Sequence, residues 1–73
     1  MENQIKEYET TQKWFSWVYK IHDPENKAVM KLIGLGCDAD ANGDYKLATK
    51  YFRKAYWQQK KADKTPTIMI GGN

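Results

Sequence analysis

This chain of 73 residues has little cysteine, histidine or proline: one, one and two. With Cys37 alone no intrachain disulfide can form, which points to a reducing compartment. His22 is equally solitary, so a metal centre or an activated thiol lacks the converging groups that such chemistry needs. No run of 18 apolar residues occurs, so no membrane-crossing helix is expected, and residues 1–11 lack the apolar stretch of a secretion signal. The chain also lacks a phosphate-cradling glycine loop and a nucleophile elbow, and no carboxylate sits in an apolar run that would raise its pKa. These absences predict a cytoplasmic, non-enzymatic protein with no catalytic residues, no cofactor, no small-molecule substrate and no membrane partner.

What the chain does have is aromatic bulk. Three Trp, five Tyr and two Phe are present. A domain of this size buries only about 60% of the surface its unfolded chain exposes, so large side chains are the efficient way to close a core. Charge is divided unevenly. Residues 1–43 carry five Lys against seven acidic groups, whereas residues 44–73 carry seven Lys or Arg against two Asp. The halves therefore stand at −2 and +5.

Periodicity predicts three helices in a single domain over residues 1–64, followed by a short extended tail over 65–73. The first helix is expected over 4–22. Trp14, Trp17, Val18 and Ile21 recur at helical spacing, Ile5 and Tyr8 extend that side, and Phe15 and Tyr19 widen it. The run from Trp14 to Tyr19 also suits a strand, but the polar approach from Glu2 to Lys13 consists of helix formers. Asp23-Pro24 reads as a stop followed by an N-cap, opening a second helix over 24–41. Its expected inner face is Ala28, Leu32, Leu35, Gly36 and Ala39, with Gly34 and Gly36 admitting a close neighbour. Asn42-Gly43 supplies the turn into a third helix over 44–61, whose apolar side holds Ala48, Tyr51, Phe52 and Ala55.

Residues Leu32, Leu35-Gly36, Gly43-Asp44-Tyr45, Ala48, Tyr51-Phe52 and Lys54-Ala55 together resemble one tetratricopeptide repeat, over residues 29–62. The resemblance implies an antiparallel helical hairpin. Gly36, Ala48 and Ala55 would be its points of close approach, and Tyr45 and Phe52 its fillers. Ala39 and Lys60 depart from the family pattern, which has an aromatic and a proline there. The first helix matches no repeat, and one unit alone does not build the peptide groove of an array.

Three candidate surfaces follow. The aromatic surplus, with Trp14, Trp17, Tyr56 and Trp57 joined by Met30 and Ile33, predicts docking to a partner protein or pairing with a second copy, in the manner of an adaptor or inhibitor. Met30, Ile33 and Cys37 form a stripe on the second helix that the first helix is expected to cover, Cys37 acting as a small buried hydrophobe. The alternative is nucleic-acid or polyanion binding. Lys46, Lys50, Arg53, Trp57, Lys60 or Lys61, and Lys64 recur at three- and four-residue steps, Lys54 broadens the row, and Trp57 would stack on a base. A second alternative is weak calcium binding at 38–44. Asp38, Asp40, Asn42 and Gly43 resemble the first half of an EF-hand loop, although Thr49 stands where that loop, which would run over 38–49, closes with glutamate. His22 is expected to cap the end of the first helix.

Overall fold

The computed structural model describes residues 2–64, with side chains from residue 5 onward. The extended tail expected at 65–73 lies outside the described residues. Three helices follow one another: α1 (Glu2–Ile21), α2 (Lys27–Ala41) and α3 (Tyr45–Lys64). Helix α3 is the hub, because α1 and α2 each pack along it and make little contact with each other. Residues pair along α1 and α3 in the same order: Tyr8 with Tyr45, Thr11 with Thr49, Phe15 with Phe52, and Asp23 with Gln59. These two helices therefore run parallel. Helix α2 runs the other way, since Asn26 at its start shares a recess with Gln58 and Ala62 near the end of α3.

The second helix starts three residues later than Asp23-Pro24 predicts. Asp23 caps a turn instead: its Oδ1 accepts from the Glu25 amide at 2.9 Å, and its carbonyl accepts from the Asn26 amide at 2.9 Å. Asn26 is then the N-cap, its side chain accepting from the Val29 amide at 3.3 Å. The far end of α2 closes as expected. Gly43, at φ +79°, donates to the Asp40 carbonyl, and Asp44 donates to the Ala39 carbonyl, which satisfies two of the last acceptors of the helix. Asp44 goes on to cap α3 through the Leu47 amide.

Small residues bring α2 and α3 together. Ala48, Phe52, Ala55 and Gln59 form the buried stripe of α3, facing Val29, Gly36 and Ala39 of α2. A Cβ built on Gly36 would stand 2.5 Å from the Phe52 ring, so the ring occupies the space that a side chain would take. The inner face of α2 is thus turned from the expected one: Val29 is fully buried, whereas Ala28 and Leu35 are exposed. Gly34 admits no neighbour either, since no described atom lies within 4 Å of where its Cβ would be. On α1 the inward residues are Thr11, Trp14, Phe15 and Val18, while Ile5, Tyr8, Trp17 and Tyr19 are exposed. The apolar count pulled the expected face towards Trp17, but Thr11 holds the inward position.

Two buried polar side chains act as ties. Thr11 Oγ1 lies 2.8 Å from the Glu7 carbonyl, 2.9 Å from the Tyr45 carbonyl and 2.7 Å from Thr49 Oγ1. One hydroxyl donates once, so it serves one carbonyl while accepting from Thr49. Gln59 Oε1 accepts from the Asp23 amide at 2.9 Å, and its Nε2 donates to Asp63 at 3.1 Å, which fastens the α1–α2 connection to α3. Among the described residues no buried side-chain nitrogen or oxygen lacks a partner.

The two helical glycines should respond oppositely to alanine. Gly36→Ala drives a methyl into the Phe52 ring and should destabilise by about 1–3 kcal/mol. Gly34→Ala, facing open space, should stabilise by about 0.5–1 kcal/mol. Urea unfolding followed by circular dichroism reads both, and equal signs would contradict the packing described.

Candidate interaction surface

The central position of α3 divides its circumference into three. One side meets α1 through Tyr45, Thr49 and Tyr56, and the buried stripe is shared with α2. The third side faces solvent. At about 100° per residue, Lys46, Lys50, Arg53, Trp57, Lys61 and Lys64 fall on it, with Lys54 at its edge, and all seven are exposed. The stripe is outward because the inward positions are taken by alanines and Phe52.

The expected aromatic surface meets this basic face. Trp17 stands edge-to-face on Trp14 at 5.0 Å between centroids, Trp14 on Tyr56 at 5.5 Å, and Tyr56 on Trp57 at 5.0 Å. Four rings from two helices thus form one ladder. Its ends are the most open: Trp17 is 45% and Trp57 58% exposed, whereas Trp14 and Tyr56 are half-buried against the core. Cations sit against the inner rungs. The Arg53 guanidinium lies 5.6 Å from the centre of the Trp14 ring, and the Lys60 ammonium lies at the same distance from Tyr56. The Lys46 ammonium lies 3.7 Å from a Glu7 carboxylate oxygen, an exposed contact of small worth.

Beside the ladder an open cleft of about 700 Å³ runs between α2 and α3. Leu32 and Trp57 line it, with Lys50, Arg53, Lys54, Gln58 and Lys61 around them, and no carboxylate among the described residues lines it.

The other expected groupings come apart. Met30 lies about 160° around α2 from Leu32, which puts it on the far side of that helix from the cleft. Met30 and Cys37 are exposed and Ile33 is half-buried, so α1 does not cover that stripe. The reason is that α1 docks along α3 and makes little contact with α2, where Gln12 Nε2 lies 3.4 Å from Asp40 Oδ2. Asp38 and Asp40 are within α2, where residues two apart point about 160° from each other, so the structure does not gather their carboxylates with Asn42. Among the described residues no group of three His, Cys, Asp or Glu converges as a metal site would require. His22 caps α1 as expected, its Nδ1 2.6 Å from the Tyr19 carbonyl. The cleft residue Leu32 was legible only as core, because a half-buried leucine at a groove edge has the same periodicity as an interior one.

Compared with protein-family models, curated proteins and solved structures, the chain matches none. No helix among the described residues is long and apolar enough to cross a membrane.

Cys37 is exposed, yet its thiol is pushed up, first by partial desolvation and then by the Asp40 and Asp38 carboxylates. A raised pKa leaves less thiolate at pH 8, so iodoacetamide should react with native Cys37 more slowly than with the urea-unfolded chain. Asp38→Asn removes one of the raising charges and should speed the native reaction. Native alkylation faster than unfolded would contradict this account.

Proposed function

We propose that this protein is a non-enzymatic interaction module, working in the cytoplasm as an adaptor or inhibitor, that docks a partner protein on the outward side of α3. The observation that carries the reading is the continuous ladder Trp17–Trp14–Tyr56–Trp57, half of whose rings are open to solvent in a chain with a small core. Open tryptophan rings beside an arginine are the composition of interface hot spots. A tetratricopeptide-like hairpin of α2 and α3 is part of this proposal, supported by the close approach of Gly36 and Phe52.

Polyanion binding is the second reading, favoured by the unbroken row of exposed cations around Trp57. The steepness of the salt response separates the two. Phosphate contacts weaken steeply between low and physiological salt, whereas an aromatic interface changes little.

The end rungs give the cleaner test, because Tyr56 also packs on the core. Trp17→Ala with Trp57→Ala should leave the helical circular dichroism signal intact and cost under about 1 kcal/mol of stability per site. The same pair should weaken partner capture or self-association, followed by pull-down and sedimentation, by about 2 kcal/mol or more. Association unchanged in the double variant would overturn the proposal.

A further inference from the structure

We propose that the occupant of the Leu32–Trp57 cleft is an acidic amphipathic helix, about three turns long, supplied by a partner protein. This inference rests on the interaction reading and adds the chemistry of the partner. Three features of the cleft carry it.

The first is charge. Lys50, Arg53 and Lys54 border the cleft and no carboxylate lines it among the described residues, so an approaching acidic segment meets complementary charge along the Lys50–Lys54 turn. The second is the floor. Leu32 and Trp57 offer apolar surface, flanked by the aliphatic stems of the cationic side chains. A phosphate backbone has nothing to bury against such a floor, whereas leucine-sized side chains do. The third is the state of the rings. Arg53 already lies against Trp14, Lys60 against Tyr56, and Tyr56 meets Trp57 edge-to-face. Bases would have to displace those cations before stacking on the inner rungs. The open side of Trp57 is the ring surface that the cleft itself offers, and a leucine-sized side chain covers it.

Length completes the fit. From Lys50 to Lys61 the border of the cleft spans eleven residue steps of α3, about 16 Å at 1.5 Å per step. A helix of about three turns covers that distance with apolar anchors at i, i+3 or i+4 and i+7. Its glutamates or aspartates beside the anchors would reach Lys50, Arg53 and Lys54.

The test is an amide NMR titration at low salt with four probes. The first is a synthetic helical peptide of about 15 residues with leucines at those spacings and glutamate beside them. The second replaces its glutamates with glutamine, the third replaces its leucines with serine, and the fourth is an oligothymidylate of about 12 nucleotides. The leucine–glutamate peptide should shift Leu32, Lys50, Arg53, Lys54 and Trp57 and bind about tenfold more tightly than either altered peptide. Lys50→Glu with Arg53→Glu should abolish that preference. Equal binding of the glutamine peptide at the cleft would overturn the acidic class while leaving the interaction reading in place. Tighter binding of the oligothymidylate at the same residues would overturn both. No shift at the cleft with any probe would overturn the occupant, and the Trp17 and Trp57 variants would then decide the interaction reading separately. A dimer in sedimentation that excludes the leucine–glutamate peptide would assign the cleft to a second copy and overturn the proposal.

Discussion

The ring of Phe52 rests on the bare backbone of Gly36, and the rest of the structure depends on that contact. A chain this short cannot bring three helices together with large side chains on every face, because the volume between them is too small. One large ring set against one missing side chain resolves the problem. Phe52 is 1% exposed and also meets Phe15 of α1 at 5.2 Å, so a single residue on the central helix holds both neighbours. Ala48 and Ala55 on either side keep the helices close along the same line.

The outward side of α3 follows from this arrangement. With α1 and α2 both engaged on the hub, the inward positions of α3 are filled, and every cation between Lys46 and Lys64 is left at the periphery. The same geometry turns Trp14 and Trp17 of α1 towards Tyr56 and Trp57, so aromatic and basic groups share one surface instead of forming rival ones. Arg53 and Lys60 join the two sets, each lying against a ring. The fold thereby converts a charge imbalance along the chain into a basic cleft with an apolar floor.

Much of this was legible in the residues, and the gaps have physical causes. The three helices, the Asn42-Gly43 turn and the Phe52 stripe follow from spacing and from glycine's access to positive φ. Burial of Thr11 and Gln59 was not legible, because each is polar and apolar counting skips it. Their positions carried a signal nonetheless: Thr11 stands seven residues before Val18, and Gln59 seven after Phe52, both on the inward stripe. The inner face of α2 was misplaced by Leu35, a large apolar residue whose position is exposed. The late start of α2 reflects a choice between caps one turn apart, which Asn26 wins because Asp23 is used in the turn. The convergence of the aromatic and basic sets could not be read from either helix alone, since it depends on the parallel docking of α1 and α3.

The central claim, that Gly36 exists to seat the Phe52 ring, is tested most directly by a double-mutant cycle between the two positions. Unfolding free energies of the wild type, Gly36→Ala, Phe52→Leu and the combined variant give the coupling. Strong non-additivity is expected: with the Phe52 ring no longer in the space above position 36, the added methyl should cost far less than it does in the wild type. Additive costs would contradict it, because they would mean that the glycine and the ring do not share the space between α2 and α3.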